Sequence, residues 1–341
     1  SANIPSGTNA GSYTVYYKAS ASTNYNESTT DSVSVTINKV TPTVTAPTAK
    51  SLTYNGSAQA LVNAGSTNWG TLKYSSDGST YGTDIPNGTN ANTYTVYYRV
   101  DGDSNVNDVA AQSLSVSIAK AAGSVTTAPT AKLLTYNATS QALVNAGSGT
   151  GTMMYKLGSG SWGTSISTST NAGSYTVYYK ASASTNYNES ESGSVSCSIA
   201  KVTPTVTAPT AKSWTYNGSA QALVNAGSTN WGTLKYSSDG STYNTSIPSG
   251  TNANTYSVYY RVDGDSNVND VAAQSISVSI AKAAGSVTTN PTAKSLTYNG
   301  SSQALVNAGV GTGTMLYKEG ENPWSANIPS GTNAGSYTVY Y

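Results

Sequence analysis

The stretch Asn9–Ser28, NAGSYTVYYKASASTNYNES, returns letter for letter at Asn171–Ser190. Between the two copies the chain says something similar but not identical, and the spacing shows how. The first tyrosine of the YTVYY or YSVYY motif stands at Tyr13, Tyr94, Tyr175, Tyr256 and Tyr337, always 81 residues apart. The motif ending SVSI or its variants keeps the same step at Ile37, Ile118, Ile199 and Ile280. A fixed period of this kind is the signature of a tandem array, in which each period is one folding unit. A longer period lies over it. Residues 40–120 and 202–282 differ only at Leu52/Trp214, Gly82/Asn244, Asp84/Ser246, Asn87/Ser249, Thr95/Ser257 and Leu114/Ile276. Residues 121–201 differ visibly, with GSGTGTMMYKLGSGSW in place of GSTNWGTLKYSSDGSTY. Two repeat types therefore alternate. The expected division is a partial B-type repeat at 1–39, an A-type repeat at 40–120, a B-type at 121–201, an A-type at 202–282 and a partial B-type at 283–341. The first residue falls late in a unit and the last falls before a closing strand, so the chain reads as a window on a longer array.

Within one period the hydrophobic pattern is that of strands. QSLSVSIAK alternates, placing Leu114, Val116 and Ile118 on one face. NTYTVYYRV is the longest extended run, and Gly, Asn, Asp and Pro punctuate the chain at short intervals with no helical period. Asn55-Gly56, Asn217-Gly218 and Asn299-Gly300 are strong signals for tight hairpins, and Asp77-Gly78 marks another turn. The 121–201 unit has Asn137-Ala138 instead, and a longer or differently shaped turn is expected there. The sum is six or seven strands in 81 residues, an all-β sandwich per unit. A β-grasp-like repeat is the alternative fold, but no stretch supplies its helix.

The motifs LTYNGSAQALVNAG, IPNGTNANTYTVYYRVDGDSNVND and SLSVSIAK resemble those of the tandem Ig-like and MBG-type repeats of large bacterial surface proteins and adhesins. The resemblance covers the whole chain and extends, as one setting, to surface filaments such as grappling-hook appendages. A turn leading into Tyr94 resembles the tyrosine corner of Ig-like domains. It implies that Tyr94, Val96 and Tyr98 point inward while Thr95, Tyr97 and Arg99 point outward. The valines at 15, 96, 177, 258 and 339 stand where antibody domains carry a disulfide cysteine. The family role implied is that of a spacer: an extracellular, cell-surface stalk, fibre or adhesin shaft.

Composition narrows the chemistry. Charged residues are only 9 % of the chain, the net charge is +1, and His and Phe are absent while Tyr numbers 27. No basic run points to nucleic acid, and no apolar run is long enough to insert into a membrane. Without His the commonest general base and transition-metal ligand is missing, and no nucleophile–base pair or phosphate loop is present, so the chain does not read as an enzyme. The lone cysteine, Cys197, aligns with valines and reads as a small buried apolar group.

Three features remain as candidate sites. Asp101, Asp103, Asn105 and Asp108, with Asp263, Asp265, Asn267 and Asp270, space oxygen ligands in a way that suits calcium; the plainer reading is an Asx-rich turn, and no cofactor is otherwise expected. Trp69 and Trp231 lie in a loop suited to stacking on a glycan, whereas Trp162 and Trp324 align with Tyr81 and Tyr243 and read as core contacts. Tyr16, Tyr97, Tyr178, Tyr259 and Tyr340 form an outward row, one per period. Large amphipathic rings on a nearly uncharged surface suit an interface between copies of the chain in a homomeric filament.

Overall fold

In the A-type repeat 40–120 of the computed structural model, which describes residues 3–341, the strand Asn92–Asp101 is central. It pairs antiparallel with Val109–Ala119 on one side and with Thr71–Ser75 on the other. Leu52–Thr53 adds a short parallel edge beside Ile118 and Ala119, completing a four-stranded sheet. The register sets Tyr94 opposite Val116 and Val96 opposite Leu114. Because side chains alternate along a strand, one face gathers the apolar set. The second layer is built from shorter pairs: Val44–Thr45 with Ser66–Thr67, Thr48–Ala49 with Val62–Asn63, and Gln59–Ala60 with Asn87–Gly88. Pro47 interrupts this layer, as expected of a residue without an amide proton.

Between the layers Leu61, Val62, Tyr74, Val96, Tyr98, Val116 and Ile118 are buried as one core. Tyr98 keeps its hydroxyl satisfied by donating to Gln112 Oε1 at 2.6 Å. Tyr74 accepts the amide of Gly65 at 2.9 Å, tying the two layers together through a buried ring. The same clamp joins Tyr155 to Gly147, Tyr236 to Gly227 and Tyr317 to Gly309. With no helix among the described residues, the chain is a tandem array of Ig-like β-sandwiches.

The chain divides into two compact units, Ser1–Ala200 and Lys201–Tyr341. In the first, residues 3–39 contribute the pair Gly11–Tyr17 and Asp31–Ile37, the A-type sandwich follows, and the B-type sandwich 121–200 repeats its sheet with Leu133–Thr135, Gly193–Ala200, Gly173–Ala181 and Met153–Leu157. In the second, the A-type sheet recurs with Trp214–Thr215, Val271–Ala281, Asn254–Asp263 and Thr233–Ser237. The last B-type segment pairs Lys318–Glu319 with Val339–Tyr340. Cys197 is buried in the B-type core, where desolvation pushes its thiol up.

The Asn-Gly pairs do form tight turns, but not hairpins. Gly56, Gly218 and Gly300 have φ near +80°, while the preceding asparagines do not enter the left-handed region. Each asparagine side chain instead accepts the amide two residues on, at 3.0 Å. The flanking strands then part: Leu52–Thr53 joins the four-stranded sheet and Gln59–Ala60 the opposite layer. The Asn137-Ala138 turn has the same shape as its sisters, contrary to expectation. Asn137 Oδ1 accepts Thr139 N at 3.0 Å, and Ala138 takes φ +62°, the left-handed conformation that glycine holds elsewhere.

Candidate functional site

At the start of every YTVYY-type strand the corner tyrosine reaches back four residues. Tyr13 donates to the Asn9 carbonyl at 2.7 Å, Tyr94 to Asn90 at 2.8 Å and Tyr175 to Asn171 at 2.6 Å; Tyr256 and Tyr337 do the same to Asn252 and Asn333. This fixes the Asn-Ala turn at one end of each sandwich, and at Asn9-Ala10 and Asn90-Ala91 that turn is where the following repeat docks.

Asn105, in the Asp101–Asp108 loop, accepts the amide of Ala10 through Oδ1 at 2.7 Å and donates through Nδ2 to Asn9 Oδ1 at 3.2 Å. One period later Asn186 repeats the arrangement, accepting Ala91 N at 2.9 Å and donating to Asn90 Oδ1 at 3.1 Å. A side-chain amide has one acceptor and one donor end, so a single asparagine engages both groups of the turn. The loop carrying it is braced by its own linker. Val40 bridges Val106 in parallel fashion, with Val40 N donating to Asn105 O at 3.0 Å and Asn107 N to Val40 O at 2.9 Å. Ala121 does the same with Tyr187, and Lys120 Nζ donates to the Ser184 carbonyl at 2.6 Å. Where the B-type repeat follows the A-type, the Tyr187 ring also meets Tyr54 edge-on, with centroids 5.3 Å apart at 79°.

The acidic residues of these loops do not gather into a ligand set. Asp101 is held by Lys73 Nζ at 2.8 Å and Arg99 Nε at 2.6 Å, contacts that lower its carboxyl below the usual range, the Lys73 bond first. Asp103 accepts Asn105 N, and Asp108 accepts Gly102 N, both at 2.7 Å. Asp263, Asp265 and Asp270 repeat these contacts, Asp263 with Lys235 and Arg261, Asp265 with Asn267 N and Asp270 with Gly264 N. Among the described residues no three acidic, His or Cys side chains converge as for a metal ion. Each loop is an Asx-capped turn, and in the Asp101–Asp108 loop Asn105 serves the joint.

The outward tyrosines are on the face expected, and all but Tyr16 have cover from their own chain or a cation above them. Tyr97 and Tyr259 are half-buried over the Gly78 and Gly240 turns. In the B-type repeats Lys156 Nζ lies 5.0 Å from the Tyr178 ring and Lys318 Nζ 5.1 Å from Tyr340. Tyr16 is 71 % exposed, Tyr340 50 % and Tyr178 36 %. Trp162 and Trp324, expected in the core, stand instead on this outer face under Lys156 and Lys180, and under Lys318. Tyr81 and Tyr243 take the same place under Arg99 and Arg261, each 4.2 Å from the cation. Outside the apolar core, an aromatic ring gains from a cation over its face. Trp69 is 54 % exposed in its loop, and Trp231 is half-buried.

No family model and no curated protein matches this chain. Among solved structures, a protocadherin gammaB7 EC3-6 cis-dimer structure aligns at 9 % identity over 77 % of this chain and 75 % of that one, with a TM-score of 0.27. The Sidekick-1 immunoglobulin domains 1-5 align at 12 % identity over 95 % and 86 %, with a TM-score of 0.26. No helix among the described residues is long and apolar enough to cross a membrane.

Proposed function

We propose that this chain is a structural segment of an extracellular shaft, a surface stalk or fibre whose repeats serve as fixed-length links, and that it is not an enzyme. The observation that carries this reading is the recurrence of one joint. Asn105 and Asn186 clasp the preceding Asn-Ala turn with the same pair of hydrogen bonds at both junctions of the unit Ser1–Ala200. A repeat that merely filled sequence would not need its neighbour held by side-chain chemistry. Nearest-neighbour contacts of this kind add an interface contribution to each unit's own stability, as in other tandem arrays. The bacterial surface setting and a homomeric filament joined along the outward tyrosines belong to the same proposal. The exposed Trp69 ring supports a second reading, a glycan-binding module.

Single-molecule pulling tests the mechanical role. A shaft of autonomous sandwiches unfolds in separate steps, each releasing roughly 25–30 nm of chain, given about 3.3–3.6 Å per extended residue and one 81-residue period. Extension without discrete steps would reject it. For the filament, Tyr178→Ser should weaken association between copies while leaving the melting temperature unchanged. For the glycan reading, Trp69→Ala should abolish binding on a glycan array.

A further inference from the structure

The sequence pairs asparagine with glycine four times, and the fold puts these pairs in two different settings. Asn87-Gly88 lies in the second layer of the A-type sandwich, paired with Gln59–Ala60. Gly88 is buried there, and a Cβ on it would lie 2.8 Å from Tyr94 Cζ. Asn55-Gly56, Asn217-Gly218 and Asn299-Gly300 are exposed and lie outside any strand. A Cβ on Gly56, Gly218 or Gly300 would meet nothing within 4 Å. Among the described residues no acceptor takes the N–H of these three glycines. Each of the three asparagines accepts the amide two residues on through Oδ1, at 3.0 Å.

That arrangement serves one reaction. The Gly56 amide nitrogen, having lost its proton to hydroxide, attacks Asn55 Cγ. The N–Cγ bond forms, the Cγ–Nδ2 bond breaks, and Nδ2 takes up a proton and leaves as ammonia. Water then opens the resulting cyclic imide. Attack at Cγ gives aspartate; attack at the main-chain carbonyl carbon gives isoaspartate, with the backbone routed through the side chain. One water is consumed and one ammonia released, with no change of oxidation state. Negative charge grows on Oδ1 in the addition step, where Ser57 N–H is already placed to stabilise it. Glycine, with no Cβ, leaves the attacking nitrogen unshielded. Asn137 stands in a turn of the same shape, with Thr139 N at 3.0 Å and Thr139 Oγ1 at 2.7 Å donating to its Oδ1, but Ala138 puts a methyl group beside the nucleophile. At Asn87-Gly88 the strand pairing and the Tyr94 ring deny the backbone the rotation that ring closure needs.

We propose that Asn55, Asn217 and Asn299 are self-modifying positions that convert to aspartate and isoaspartate in the folded chain, and that Asn87 and Asn137 are spared. Each conversion adds a carboxylate, so the three together take the formal net charge from +1 to −2. On a surface with so few charges this raises the repulsion between copies. Isoaspartate also lengthens the main chain in the turn that runs from Leu52–Thr53 in one layer to Gln59–Ala60 in the other. Of the four equivalent turns, the one at Asn137 alone keeps its original form. The proposal does not depend on the shaft reading.

Peptide mapping by mass spectrometry tests it, on the folded 341-residue chain aged at mildly alkaline pH in isotopically labelled water. Asn55, Asn217 and Asn299 should take up label from the water, yield both aspartyl and isoaspartyl peptides, and react faster as pH rises. Asn87 and Asn137 should react at least about tenfold more slowly, a barrier difference of about 1.4 kcal/mol. In guanidinium Asn87 should rise to the rate of Asn55, which reacts in both states. Ala138→Gly should bring Asn137 to the rate of Asn217. Gly56→Ala, a change the chain already accommodates at Ala138, should slow Asn55 about tenfold and leave Asn217 unchanged. If Asn55 stays intact in the folded chain yet reacts in guanidinium, the turn protects it and the proposal fails. It fails equally if Asn87 keeps pace with Asn55 in the folded chain, or if Asn137 stays unreactive after Ala138→Gly.

Discussion

Replacing Asn186 by alanine removes the clasp between the A-type and B-type repeats without touching either core. Two hydrogen bonds go, at 2.9 Å to Ala91 N and 3.1 Å to Asn90 Oδ1. At about 1 kcal/mol net for each such bond, the joint should lose about 1–2 kcal/mol. The backbone contacts of the loop, Ala121 N to Asn186 O among them, survive because they do not use the side chain. The loss should therefore fall on the coupling between repeats and not on the fold of either. Urea unfolding with a probe in each repeat reads this directly: the transitions of 40–120 and 121–200 should separate, the less stable repeat moving to lower urea by the coupling lost. If Asn186→Ala leaves both transitions where they were, the side-chain clasp is not what couples the repeats.

Other consequences follow from single positions. Ala138→Gly should stabilise the B-type repeat by about 0.5–1 kcal/mol, because an L-residue at φ +62° carries a left-handed penalty that exceeds the entropy glycine adds to the unfolded chain; calorimetry should show its melting rise. Cys197→Val should change stability by less than about 1 kcal/mol, being close in volume and apolar, and the native thiol should resist labelling until the chain unfolds. Asp101 and Asp263 have carboxyls lowered by their lysine and arginine partners, so the stability they contribute is complete above the ordinary aspartate range near about 3.9 and is lost as pH falls through their folded values. Melting followed from pH 5 downward should fall less steeply in the double variant Asp101→Asn, Asp263→Asn than in the native chain; equal slopes would remove these carboxylates from the account.

The period and the alternation of inward and outward residues were legible because they are one-dimensional patterns: Val96, Val116 and Ile118 announce a buried face by spacing alone. The partners of Leu52–Thr53 were not. A two-residue strand before an Asn-Gly turn looks like half of a hairpin, and only the packing of Leu52 against Ile118 sends it to the other sheet. Trp162 was assigned to the core because it aligns with Tyr81, but the position itself faces outward, where Lys156 and Lys180 supply the contact a core would otherwise give. The joint was missed although a signal was present. Asparagine stands at 24, 105, 186 and 267, and two residues later at 26, 107, 188 and 269, in loops whose other residues differ between the two repeat types, and again at 9, 90, 171, 252 and 333. DGDSNVND shares two asparagines with SASTNYNE, Asn105/Asn186 and Asn107/Asn188, and the first of each pair makes the clasp.

The measurement that bears most directly on the fixed joint is a distance distribution across it. Spin labels at Ser113→Cys and Ser194→Cys, in a Cys197→Val background, sit on exposed positions of the Val109–Ala119 and Gly193–Ala200 strands, one in each repeat. The joint formed by Asn186, Ala121 and Tyr187 should give a single peak by pulsed electron double resonance, no broader than a label pair placed within one sandwich, and Asn186→Ala should broaden it. A broad distribution in the native chain, unchanged by Asn186→Ala, would mean that the repeats pivot freely and that the clasp does not make a shaft.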